Sequence, residues 1–118
     1  MAIAQLFEQT VADAIASIQR DLGLTSAEVA GGLGVTTRTL DRWRKGQSLP
    51  QREARERLNE LSAVRDHALE AFYPDDLPRW MRERNRALAG TRPVDAIAVG
   101  RLDQVENALV VIDYGMFV

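Results

Sequence analysis

The stretch LTSAEVAGGLGVTTRTLDRWRKG, residues 24–46, leaves this chain few folds to adopt. It holds two short apolar-periodic segments separated by little more than Gly34 and Val35, room only for a tight turn. Thr25-Ser-Ala-Glu28 fits a capping box, in which the Thr hydroxyl takes a free backbone N–H and the Glu reaches back. The helix so opened is expected to end by Gly34, where glycine tolerates a positive φ. Thr36 is expected to cap a second helix, Thr37 to Lys45, stopped by Gly46. Val29, Leu33, Val35, Leu40 and Trp43 are spaced to form a small core, and Ala30 is small enough to let the helices cross closely. That is the helix-turn-helix pattern. Gly31 and Gly32 cut against it, because each interior glycine costs a helix about 1 kcal/mol relative to alanine.

The rest of the chain also reads as helix, with no alternating β-branched runs bounded by hairpin turns. Ile3, Phe7, Val11, Ala14, Ile18 and Leu22 recur at three- and four-residue steps as one apolar face, stopped by Gly23. Ser48-Leu-Pro-Gln51 reads as a second capping box, with Pro50 in the first turn of a long helix, about Leu49 to Phe72. Ala54, Leu58, Leu61, Val64, Ala68 and Phe72 line its buried side, and Tyr73-Pro74 breaks it. A short helix is expected from Pro78 to about Arg84, anchored by Trp80, and another from Pro93, closed by Gly100. Val105, Ala108, Leu109 and Ile112 mark a last helix that Gly115 caps. The fold class expected is all-α. A helix-turn-helix domain with a long connecting helix (1–73) is joined to a small helical lobe with a C-terminal tail (74–118).

Charge narrows the function. Between Arg38 and Arg57 stand seven basic residues and three acidic ones, on a chain whose net charge is −2. A local basic patch on an acidic chain points to one anionic partner at that patch, set against the plain alternative of a solvated mixed-charge face. In helix-turn-helix geometry Thr36, Thr37 and Arg38 lie at the end that meets base edges and phosphates, with Arg42 one turn on. Arg44 and Lys45 are expected at phosphate. No apolar run is long enough to span a bilayer, and MAIAQLFEQT lacks the basic start and unbroken apolar run of a secretory signal. With no Cys, one His and no phosphate-cradling glycine loop, an enzyme is a poor reading. Catalytic residues, metal ligands and cofactors are not expected, and a cytoplasmic location is.

Past residue 74 the order of motifs becomes more specific: Trp80, then Asn85-Arg-Ala-Leu-Ala-Gly90, then Pro93-Val-Asp95, an apolar run to Gly100, and Val105 with Leu109 on a closing helix. Together with the helix-turn-helix, this resembles the Xre/MbcA/ParS antitoxins of RES–Xre toxin–antitoxin pairs over nearly the whole chain. The resemblance implies a cognate RES-domain toxin that consumes NAD⁺. The C-terminal lobe would cover that toxin, and the tail Tyr114, Gly115, Met116, Phe117 and Val118 would block its cleft, with Asn85 and Arg86 nearby. It also implies a homodimer that represses its own operon by binding operator DNA.

Each residue has a plainer role beside this one. Trp80 suits a core anchor, and Asn85 a turn cap. Arg86 could pair with Asp75, Asp76 or Asp95, and Tyr114 fits core or interface equally. His67 has no second ligand near it in sequence and reads as a boundary residue. The alternative function is a free-standing Xre-type repressor whose C-terminal lobe serves dimerisation or ligand sensing. A third reading keeps the toxin but reduces the helix-turn-helix to a scaffold.

Overall fold

The computed structural model describes the backbone of residues 2–115 and the side chains of residues 10–115. Among these, every regular element is a helix. They are α1 (Ala2–Leu22), α2 (Ser26–Leu33), α3 (Thr37–Arg44), α4 (Arg52–Ala71), α5 (Leu77–Arg82), a 3-10 turn (Arg86–Leu88), α6 (Pro93–Ala98) and α7 (Leu102–Asp113). The apolar face expected on α1 is buried at Ile18 and Leu22, joined by Ile15, while Val11 and Ala14 pack at its margin. Ile3, Phe7, Met116, Phe117 and Val118 lie outside the described side chains.

The helix-turn-helix forms as its local signals dictate. Thr25 Oγ accepts the Glu28 N–H at 3.1 Å, and the Glu28 carboxylate accepts the Thr25 N–H at 2.8 Å. Gly34 then turns the chain at φ +72°, which an L side chain rarely adopts. Thr36 Oγ accepts the Thr39 N–H at 3.1 Å and opens α3. Val29, Leu33, Leu40 and Trp43 are buried between the helices, each contributing about 1.5–3 kcal/mol.

The long helix departs from expectation. It begins at Arg52, behind an extended Gln51 (φ −77°, ψ 174°) that makes no side-chain cap. Ser48-Leu-Pro-Gln51 is therefore no capping box. Pro50 is buried ahead of the helix, and a proline holds the residue before it off helical geometry. Burying that ring in an extended link outweighs starting the helix early. Leu58, Leu61, Val64 and Ala68 are buried on α4. On α5 the core positions are Leu77 and Met81, both at 0% exposure. Trp80 is half-buried and stacks on Phe72, ring centroids 4.9 Å apart.

One hydrophobic cluster runs from α1 to α7 and crosses the exposed turn at 73–76. Among the contacts that tie the halves of the chain, two seams stand out. In the first, α2 lies on α6 so closely that a Cβ at Gly31 would stand 2.1 Å from the Ala98 carbonyl oxygen, and one at Gly32 3.0 Å from that of Ile97. The paired glycines thus serve close approach, and the helix propensity they forfeit is offset by contact. In the second, α4 lies along α7. Arg57 sits beside Gly100 at one end of this pair, and His67 meets Glu106 and Asp113 towards the other, so the two helices run parallel. Arg57 also lies beside Gly34, which places its charge at the C-terminal ends of α2 and α6, where a helix dipole favours a cation.

Candidate functional site

The first candidate surface is the outer face of α3. Leu40 and Trp43 anchor the helix from within, leaving Thr36, Thr37, Arg38, Arg42 and Lys45 exposed together. The Thr36 hydroxyl is spent on the cap, also donating to Thr39 Oγ1 at 3.2 Å. The first backbone N–H groups of α3 stay free of intrahelical partners, as at any helix start, and suit a phosphate oxygen. Asp41 would repel such an oxygen, but Lys45 Nζ holds it at 2.9 Å. Arg44 parts from the group: it turns towards the start of α2 and donates to Ser26 Oγ at 2.8 Å. A cavity of about 500 Å³ opens behind this face between α3 and α4, with Thr39, Arg42, Leu49 and Arg57 on its walls.

The second surface gathers the C-terminal elements. Asn85 accepts the Ala87 N–H on its side chain at 2.9 Å, and its backbone accepts from Gly90 and donates to Thr91. It shapes the turn, as the plainer reading had it. Ala89 completes the turn in the left-handed region at φ +54°. Arg86 is exposed and forms no ion pair with a described residue. Of its three expected carboxylate partners, Asp95 binds Arg92 through two hydrogen bonds at 2.8 and 3.0 Å, and Asp76 faces Arg79 at 3.9 Å. Hydrogen bonding from Arg92 lowers the Asp95 pKa and raises that of Arg92. Tyr114 ends α7 at 76% exposure, so its ring is not part of this chain's core, and Tyr73 is exposed to 80%. Gly115 follows at φ +65°, its N–H on the Ile112 carbonyl.

Arg82 pins the two surfaces to one frame. It donates to both Glu28 carboxylate oxygens, at 2.8 and 3.2 Å, and to the Gly23 carbonyl at 2.8 Å. Burial alone would raise the Glu28 pKa; the Arg82 hydrogen bond and charge, with the Thr25 backbone, hold it below the ordinary value. His67 lies half-buried at the boundary, as expected, but reasoning from sequence missed its partners. Its ring lies between Glu106 and Asp113, two turns apart on one face of α7. The signal was present as that acid pair at seven-residue spacing, but only the parallel packing of α4 on α7 brings it to a histidine. Among the described residues no three His, Cys, Asp or Glu side chains converge as a metal site, and no helix is long and apolar enough to cross a membrane.

Known proteins resemble this chain in sequence and in fold. The family described as the antitoxin Xre/MbcA/ParS C-terminal toxin-binding domain matches residues 68–115. The mycobacterial cidal antitoxin MbcA of Mycobacterium tuberculosis is 35% identical over 97 residues, covering 82% of this chain and 86% of that protein. The probable mycobacterial cidal antitoxin Rv3188 of the same organism is 32% identical over 100 residues, covering 82% of this chain and 83% of that one. The crystal structure of the M. tuberculosis MbcT–MbcA toxin–antitoxin complex holds a chain that superposes with a TM-score of 0.68 at 33% identity, over 91% of this chain and 96% of that chain.

Proposed function

The chain belongs to the Xre/MbcA/ParS antitoxin family, and from that premise we propose that it neutralises a RES-domain, NAD⁺-consuming toxin by covering it and plugging its cleft. The tail Tyr114 to Val118 is the plug. Arg86 meets an acidic group on the toxin, and Asn85 holds the turn that presents it. The observation that carries this reading is the end of α7. Tyr114 is withheld from this chain's own core at 76% exposure, directly before Gly115, and an exposed ring of that size suits a partner's pocket. The antitoxin has no catalytic step of its own in this reading; it works by occupying a site.

The decisive experiment compares the full chain with one ending at Gly115, each added to the cognate toxin while NAD⁺ is followed. The shortened chain is expected to fold, because Val105, Ala108 and Leu109 stay buried, and to lose most of its inhibition. Equal protection of NAD⁺ by both chains would end the plug reading.

The same protein, as a cytoplasmic homodimer, is proposed to repress its operon through α3. Support comes from the joint exposure of Thr36, Thr37, Arg38, Arg42 and Lys45 and from the charge balance of residues 38–57. Arg44, committed to Ser26, supports the helix from behind and leaves phosphate to the others. Arg38→Ala with Arg42→Ala is expected to cut operator affinity about tenfold or more, given about 1–3 kcal/mol for each good base contact, and to flatten its salt dependence. Neutralisation should stay intact. Unchanged operator affinity would remove this face from DNA binding.

A further inference from the structure

We propose that His67 is a positioning residue for the toxin-binding end of α7, which it clamps through Glu106 and Asp113 so that toxin affinity depends on pH. This rests on the reading that Tyr114 and the residues after it meet the toxin. The ring is half-buried on α4 and uses both nitrogens, Nδ1 towards Glu106 and Nε2 towards Asp113. Asp113 is the last residue of α7, immediately before exposed Tyr114. Two acceptors on one ring demand two N–H donors, which only the imidazolium supplies. A neutral ring can donate to one carboxylate and must turn a lone pair to the other. Glu106 adds to the demand, since its Oε2 is buried without a hydrogen-bond partner among the described residues.

The surroundings leave the control with these three groups. Burial by itself would lower the His67 pKa, but the hydrogen bonds and charges of Asp113 and Glu106 raise it above the ordinary 6.5. On its own helix Arg65 is paired with Asp66, and Glu70 stands one turn away. α1 and α2 also pack on α4. The described charged side chains of α1 are Asp13, Arg20 and Asp21, the last two paired with each other; Glu28 of α2 is held by Arg82. None of them acts on the ring.

As pH rises through the raised value, the clamp loses a donor and two carboxylates are left facing a neutral ring. The last turn of α7 is then freed, and with it the direction in which the tail leaves. The test has two arms on the full chain. In the free antitoxin, NMR should find His67 titrating above 6.5, with the amides of Tyr114 and Gly115 following the same curve. Against the cognate toxin, wild-type affinity should fall about three- to fivefold from about pH 5.5 to about pH 8.5, the scale of a partly exposed ion pair. His67→Gln should be weak and flat relative to wild type, and His67→Lys should keep the tight value at high pH. Affinity of His67→Gln that follows the wild-type pH curve overturns the proposal, as do Tyr114 and Gly115 amides that ignore His67. If instead a chain ending at Gly115 binds toxin as tightly as the full chain, the plug reading fails, while the amide titration still decides the clamp.

Discussion

The seams α2–α6 and α4–α7 join the same two halves of the chain by opposite means. At α2–α6, backbone meets backbone: Gly31 and Gly32 approach the last carbonyls of α6 with no side chain between them. At α4–α7, buried Leu61, Val64, Val105 and Leu109 belong to the shared core, and the pair ends in a histidine held by two carboxylates. At the glycine contact the first seam has no titratable side chain and little that can move, and its carboxylates, Glu28 and Asp95, are held below their ordinary pKa values by Arg82 and Arg92. The second is tunable at the end nearest exposed Tyr114. The helix-turn-helix is thus fixed to the C-terminal elements as one frame, and adjustability is confined to one end of α7.

The comparison breaks most visibly at Gly31. A Cβ there meets a backbone oxygen at 2.1 Å, which cannot swing aside as a side-chain tip would. Gly31→Val is expected to destabilise the protein by about 3 kcal/mol, the upper part of the usual overpacking range, read as a lowered urea midpoint. Helix propensity argues the other way, since Val is a better helix former than Gly. A midpoint that holds or rises would therefore mean that the seam yields. Gly32→Ala sharpens the contrast. Its Cβ would meet the Ile97 oxygen at 3.0 Å and Ile97 Cγ2 at 3.1 Å. A shift of a few tenths of an ångström there trades against about 1 kcal/mol of propensity, leaving a net change of under about 1 kcal/mol.

Gly31 also marks where reading the sequence stops. Thr25, Glu28, Gly34, Thr36, Leu40 and Trp43 were legible because each signal and its partner lie within a few residues. The same local logic counted Gly31 and Gly32 as a cost, because the helix that needs their bareness comes more than sixty residues later. It also started α4 too early, at about Leu49 rather than Arg52, since it could not know that Pro50 would be buried. On α3 periodicity gathered the exposed face but not the reach of Arg44 back to Ser26. On the C-terminal surface Asn85 was legible as a turn cap. The exposure of Arg86 was not: one of the acids it was expected to meet, Asp95, is bound instead by Arg92.

The smallest effect tests the second seam in the free protein. His67 acquires Glu106 and Asp113 only on folding, so its folded pKa stands above its unfolded one. Protons are then bound more tightly by the folded state, and stability from the clamp falls as pH rises. The contribution is complete below about pH 6.5 and lost as pH climbs through the raised folded value. The Glu106 and Asp113 side chains stay 39% and 48% exposed, so water screens the pair, and the whole effect is expected to be under about 1 kcal/mol. Urea midpoints of wild type and His67→Gln should therefore differ most at about pH 5.5 and converge by about pH 8.5. Gly31→Val, measured alongside, should lower the midpoint by the same amount at both pH values, because the carboxylates of that seam, Glu28 and Asp95, are held below their ordinary pKa values and stay ionised across this range. A gap between wild type and His67→Gln that stays constant across the range would make the ring a packing element, and the two seams would then differ only in tightness.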